Sequence, residues 1–405
     1  MQAARPAGFF GATAALGIVR VLAMGISLIA VTLSYYVLSA ADFGLFNLVA
    51  FFLALGTAFA SPLNRAFWAA DSAENFAPAT ISSVAIIALI LALGLLVTAP
   101  AGVAYPAVAA AGVLYSVAKV VERYSYGRLL VTHDTSRALL PTVLFAACDA
   151  GVVATMWLVS SQSLVVRLAL PAVVFLLLLS LTGLRAQLAE ILRSLRNVGK
   201  HVAFVRRHLG SPMGLRVLAL GGLATVAGMS DRLLVVYLPL PSREIEAAYL
   251  LALSYAIAFQ TLMSFLFDLS RTRVYRDGKW QPEARHFTAF TAVLLIGLAG
   301  AAVVAYPLLT WSHLLPPAIG TLLWAGLLVR SAALMLVYAF NVDHFQNGDV
   351  APLALPNLVI LGGGVAALAL LHAGYAQETA ALILIGTGVF TSAVLALLFF
   401  RRVPA

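Results

Sequence analysis

The residues able to do chemistry in this sequence are charges set inside apolar runs. Arg20, Lys119, Arg123, Arg167, Arg216, Arg232 and Arg330 lie within long stretches of Leu, Val, Ala and Phe, as do Glu122, Asp149 and Asp231. An ionisable side chain in hydrocarbon is costly, so it marks a paired structural site or a pathway for a ligand or ion. The basic set outnumbers the acidic one. A cavity lined by Arg and Lys suits an anion, and the planar guanidinium matches phosphate oxygens with two parallel N–H donors.

Spacing sorts these charges. Lys119, Glu122 and Arg123 fall on one helix face, where Glu122 can neutralise one of the two cations and leave about one net positive charge. The alternative is a self-contained ion cluster joining helices. Arg20 has no acid at helical spacing in its own segment and must find a partner elsewhere or face water. Arg330 likewise has no local acid. Arg216 and Arg167 lie near segment ends, where a long side chain can snorkel to the interface. Asp231 and Asp149 are candidates for structural pairing or for taking up a coupling ion. Arg65 and Arg271, at the ends of the second and eighth apolar segments, are placed to receive a ligand, and also satisfy the positive-inside rule with no further role.

Other chemistries find no support. The single cysteine, Cys148, allows no intrachain disulfide and no thiolate cluster. The seven histidines show no paired ligand spacing, so a metal site is not expected. There is no phosphate-cradling glycine loop and no nucleophile elbow, so no enzyme is expected. Gly362-Gly363-Gly364 lies in an apolar run and reads as a close helix crossing.

These charges must be positioned by membrane helices. The 405 residues are 62% hydrophobic and 10% charged, with mean hydropathy +0.99. Soluble domains carry about 25% charged residues. Apolar segments fall at roughly 9–39, 43–69, 79–100, 104–131, 138–159, 163–183, 212–239, 245–270, 286–308, 314–341, 351–373 and 378–400, which is about twelve spans of some 20 residues. Hydrocarbon tolerates only internally bonded backbone, so each reads as a helix. The first is too long for a signal-peptide core and reads as a retained span.

Basic residues at Arg5, Arg65, Arg128, Arg137, Arg185 to Arg207, Arg271 to Arg285, Arg401 and Arg402 all fall on one side of such a layout. The opposite loops hold Arg243. Both termini are therefore expected in the cytoplasm. That asymmetry accounts for the net charge of +9 without nucleic acid. The expected organisation is a six-helix lobe over 1–183, a basic cytoplasmic linker over 184–211 and a second six-helix lobe over 212–405. The linker reads as a solvated connection or as an amphipathic segment on the membrane surface.

The halves look related. Arg20-Val21-Leu22-Ala23 in the first segment matches Arg216-Val217-Leu218-Ala219 in the seventh. Arg123 matches Arg330, Leu140-Pro141 matches Leu355-Pro356, and Arg65 matches Arg271, all in order. Six spans per half make this a parallel repeat about an axis along the membrane normal.

This pattern resembles the MOP superfamily of exporters, with its MATE-like fold, and within it the Wzx-type polysaccharide flippases. The local likeness is carried by Arg20, by Leu38-Ser39-Ala40-Ala41-Asp42-Phe43-Gly44-Leu45-Phe46, by Asp231-Arg232-Leu233-Leu234-Val235 and by Glu246-Ala247-Ala248-Tyr249. The resemblance implies translocation of an undecaprenyl-pyrophosphate-linked oligosaccharide from the inner to the outer leaflet of the bacterial cytoplasmic membrane. It implies alternating access through a cationic central cavity, in the service of O-antigen or exopolysaccharide biosynthesis. A polysaccharide polymerase and a chain-length regulator would be partners beside the membrane lipids. No cofactor is implied, though coupling to protons, sodium ions or the membrane potential is. Arg20 matches the family's first-helix arginine, and the absence of an acid in that span departs from the drug-exporting branch.

Two rivals remain. One is an ion-coupled secondary exporter of a soluble drug or metabolite, of which the twelve-span major-facilitator layout is an example. The other is a membrane glycan ligase or polymerase, which the short outer loops disfavour.

Overall fold

The computed structural model describes residues 9–63, 75–98, 105–131, 137, 139–182, 184–271, 275–276, 279–280, 284–347 and 353–400. The side chains of 9–18, 20, 105, 130–131, 264–290, 339–347 and 399–400 are excepted. The chain is a multi-pass, all-helical membrane protein. Its helices are α1 (Phe9–Val37), α2 (Ala40–Phe59), α3 (Phe76–Thr98), α4 (Tyr105–Val131), α5 (Leu140–Leu158), α6 (Leu164–Leu181), α7 (Arg185–Ser194) and α8 (Val198–Leu209). They continue as α9 (Pro212–Met229), α10 (Asp231–Tyr237), α11 (Arg243–Arg271), α12 (Ala284–Gly300), α13 (Tyr306–Trp311), α14 (Thr321–Asn347), α15 (Ala354–His372) and α16 (Gln377–Phe400). A π-helical turn, Ala301–Ala305, joins α12 to α13. One two-residue strand, β1 (Tyr275–Arg276), pairs antiparallel with β2 (Lys279–Trp280).

Among the described residues, ten helical segments are long and apolar enough to cross a membrane. Each of the twelve apolar segments read from the sequence contains a helix within its described residues, but two of these helices miss that standard. The apolar part of α1 is the shorter stretch Val21–Val37. Helix α4 carries Lys119, Glu122, Arg123 and Arg128 along its length.

Local chemistry explains the helix starts. Ser39 Oγ accepts from the Asp42 amide at 3.1 Å and donates to the Asp42 carboxylate at 2.8 Å. The Leu-Ser-Ala-Ala-Asp stretch is thus the N-cap of α2, with an acid in its first turn where the helix dipole favours it. Ser163 caps α6 at the Val166 amide. Pro141 sits in the first turn of α5, where no amide hydrogen is missed.

The chain divides into two compact units, 1–221 and 222–405. The boundary lies within α9, not in the expected linker. The reason is that 185–209 is no bare connection: α7 and α8 both pack on α3. Phe204 of α8 joins a core cluster with Leu63, Phe76, Ala79, Val120 and Tyr124.

In the first unit α1 packs on α5, α4 on α5 and α6, α5 on α6, and α3 on α2 and α4. In the second unit α10 packs on α15, α14 on α15 and α16, α15 on α16, and α11 on α14. The core of this unit is α14, whose apolar stretch is 72% buried, whereas the Thr291–Trp311 stretch is 6% buried and presents apolar side chains outward. Gly326 lets α14 approach α16 closely, because a Cβ there would lie 3.1 Å from the Ala381 carbonyl oxygen.

Candidate functional site

Two buried ion centres organise the units. In the first, Arg167 of α6 is fully buried and grips Asp149 of α5 with Nη1 to Oδ1 at 2.7 Å and Nη2 to Oδ2 at 3.2 Å. Its Nε donates to Ser34 Oγ of α1 at 2.7 Å, and the guanidinium lies 4.9 Å from the centroid of the Phe46 ring in α2. Tyr115 of α4 donates to Asp149 Oδ1 at 3.4 Å. Five helices therefore meet at one ion pair. The expectation that Arg167 snorkels is corrected here. Its side chain turns inward because Asp149 and Ser34 meet three of its donors at once, which the interface could offer only as water.

In the second unit Arg330 of α14 donates from Nη1 to Asp231 Oδ2 of α10 at 2.6 Å, and from Nη2 to the Ala227 carbonyl of α9 at 2.7 Å. Tyr249 of α11 donates to the same Asp231 oxygen at 2.5 Å. Arg330 is 2% exposed and Asp231 0%. Gly364 of α15 closes over the pair. Arg330 was expected as a ligand-facing cation, but its charge is spent on Asp231. Asp149 and Asp231 take the pairing role of the two read for them.

The sequence matches between the halves can be extended to residues of the two centres. The register that matches Arg20 with Arg216 also matches Ser34 with Ser230, the residue before Asp231. The register that matches Leu140-Pro141 with Leu355-Pro356 also matches Asp149 with Gly364. The carboxylate comes from α5 in one unit. In the other, that position is a glycine and α10 supplies the acid.

The α4 face behaves differently. The Lys119 ammonium lies 3.9 Å from the Phe145 ring centroid of α5, a cation–π contact. Glu122 accepts the Thr142 hydroxyl proton. It pairs with neither Lys119 nor Arg123, so the neutralisation read from their spacing does not form. Arg123 is exposed.

Arg232 is 8% exposed, and its Nη2 donates to Ser254 Oγ at 3.1 Å. Among the described residues no carboxylate pairs with it, and its Nε has no partner. Arg216 is exposed near the start of α9. Arg20 lies in α1 by its backbone and Arg271 ends α11, but both side chains, and all of Arg65, lie outside the described residues.

The second unit also holds a cavity of about 200 Å³, lined by Thr225, Met229, Gln260, Leu334, Tyr338 and Asn357 among others. Asn357 is fully buried, with Nδ2 on the Leu353 carbonyl at 2.8 Å and Oδ1 without a partner among the described residues. Among the described residues no acid, Lys or Arg lines this cavity, and those that do offer neutral hydrogen bonding beside apolar surface.

Sequence reasoning missed Ser34, Tyr115 and Asn357, and named Tyr249 only within the family resemblance, with no role. They are uncharged and carry no spacing signal: Tyr249 stands 18 residues from Asp231, and Arg330 stands 99. No protein-family model, curated protein or solved structure matches this chain.

Proposed function

We propose that this protein moves an anionic lipid-linked oligosaccharide, of the undecaprenyl-pyrophosphate type, from the inner to the outer leaflet of the bacterial cytoplasmic membrane by alternating access. The observation that carries the reading is the charge left over after internal pairing. Arg167 and Arg330 are matched by Asp149 and Asp231. Lys119, Arg123 and Arg232 have no carboxylate partner among the described residues. Cations held in membrane helices without acids favour an anion in transit. Lys119 and Arg123 in the first unit and Arg232 in the second are the candidate contacts for a pyrophosphate, and Arg20, Arg65, Arg216 and Arg271 stay candidates on the sequence reading alone.

On this reading the fold is twelve membrane helices in two six-helix lobes. The shared packing scheme supports a parallel repeat: first on fifth, fourth on fifth and sixth, fifth on sixth in each unit. The Lys and Arg asymmetry supports termini in the cytoplasm. Outward movement of a headgroup of charge about −2 gains about 2.3 kcal/mol per charge per 100 mV of inside-negative potential. The neutral lining around Asn357 favours a second reading, export of an uncharged soluble compound.

The test is leaflet translocation of a fluorescent undecaprenyl-pyrophosphate oligosaccharide in proteoliposomes, beside Arg123→Ala and Arg232→Gln. Protein-dependent movement that falls in both variants supports the flippase. If several glycans stay in place while a soluble compound is transported, the second reading replaces it.

A further inference from the structure

Helices α7 and α8 bury one face and leave another uncovered. The inward face is Gln187 and Ile191 of α7 with His201 and Phe204 of α8. A second apolar stripe runs beside it. Leu192 and Leu195 follow one another at helical spacing, and so do Val198 and Val202, whereas Val205 and Leu209 further along α8 pack on the inward core cluster. Leu192 is 64% exposed, Leu195 50%, Val198 64% and Val202 61%. The solvated linker of ordinary composition would not place these four side chains together on the outside.

Charge runs with the stripe. Arg185, Arg193, Arg196, Lys200, Arg206 and Arg207 are all exposed, and none forms an ion pair among the described residues. The only acid in 185–209 is Glu190, and Arg128 of α4 occupies it. The location is the third observation. The pair rests against the first turns of α3, at Phe76, Ala77 and Ala79, and against the last turns of α4, at Tyr124 and Arg128. Those are helix ends, where a membrane-crossing bundle meets the headgroups.

We infer that the α7–α8 pair is a docking element for anionic phospholipid, with Leu192, Leu195, Val198 and Val202 entering the acyl boundary and the flanking cations holding the headgroup charge. Apolar side chains in line with unpaired cations, on a helix pair lying at a bundle end, are what an anionic leaflet rewards, because both terms act at the same depth. A water-facing linker would gain nothing from the stripe. An acidic protein would use the cations and leave the stripe uncovered. The inference rests on the chain spanning a membrane and is independent of what it transports.

The experiment uses the full chain with Cys148→Ser and one reporter cysteine, Leu195→Cys, Val202→Cys or Ala203→Cys, carrying an environment-sensitive dye. Nanodiscs contain brominated phosphatidylcholine alone or with about 30 mol% phosphatidylglycerol. The dyes at 195 and 202 should be quenched by brominated chains, at least about twofold more with the anionic lipid. The dye at 203 should stay open to aqueous iodide. Replacing Arg193, Arg196 and Lys200 together by Gln should abolish the anionic increment. If the dyes at 195 and 202 are quenched by iodide and not by bromolipid, or if the triple variant keeps the increment, the docking element is wrong. A dye at Leu96→Cys, on the exposed face of α3, separates the two failures. Bromolipid quenching there with none at 195 rejects the docking alone, and its loss at both rejects the membrane span.

Discussion

Gly364 lies so close to Arg330 that a Cβ at this position would come within 2.6 Å of Nη2 and 3.1 Å of Asp231 Oδ1. The charged end of a side chain already held by Asp231 and the Ala227 carbonyl has no slack to give. Gly364→Ala should therefore destabilise the second unit by about 1–3 kcal/mol, the usual cost of forcing an extra carbon into a packed interior. Gly362, two residues away, has open space around it. Thermal unfolding in detergent should show a lowered midpoint for Gly364→Ala and little change for Gly362→Ala. Equal midpoints would remove the close approach.

The Asp149–Arg167 pair is expected to be costly to break and cheap to replace. Asp149→Ala or Arg167→Ala leaves a buried charge without its partner, beside the Phe46 ring in the case of Arg167, a loss of about 3–5 kcal/mol. The double change Asp149→Leu with Arg167→Met should recover most of it, because both desolvation costs vanish together. Arg167→Lys should rescue poorly, since an ammonium cannot serve Ser34 and both Asp149 oxygens in one plane. A double-mutant cycle on detergent unfolding reads all four.

Lys119 and Arg232 should separate stability from transport. Lys119→Met keeps the stem against Phe145 and removes the charge, at about 0.5–2 kcal/mol for the lost cation–π contact. Arg232→Gln keeps a donor for Ser254. Both proteins should fold and insert normally yet move an anionic lipid-linked substrate at least about tenfold more slowly, the effect of about 1.4 kcal/mol on the limiting barrier. Normal rates in both would exclude these cations from the pathway.

His208 should titrate below the ordinary histidine range. Burial comes first as the cause and the Arg207 charge second. The ring packs 4.6 Å, centroid to centroid, from Phe204. The folded protein thus disfavours the imidazolium, and the unfolded chain binds more protons between the two values. Stability of the α8 packing is whole above the unfolded value of 6.5 and falls as the pH drops from there through the folded one. Histidine NMR titration in neutral nanodiscs checks the direction, and a value above 6.5 would contradict the burial of this ring.

The sequence alone determined the solvent and therefore the class of fold. Runs rich in Leu, Val, Ala and Phe cannot face water, and in hydrocarbon each must close its own backbone hydrogen bonds. The ten described helices long and apolar enough to cross a membrane were legible for that reason. So was the start of α2, because Ser39 and Asp42 act within one turn. The intramembrane charges were legible as a set, since any Arg or Asp inside such a run is conspicuous.

Their partners were decided only by tertiary structure. Arg330 and Arg123 occupy matched positions in the sequence, yet one is buried on Asp231 and the other is exposed. Arg167 seemed near enough to its segment end to reach water, and it turns instead to Asp149, Ser34 and Phe46. Whether a cation is spent on a carboxylate or left for a ligand depends on contacts between helices far apart in the chain. Coulomb and desolvation terms act over a few ångströms of space, and no one-dimensional spacing records which helix face another helix will cover.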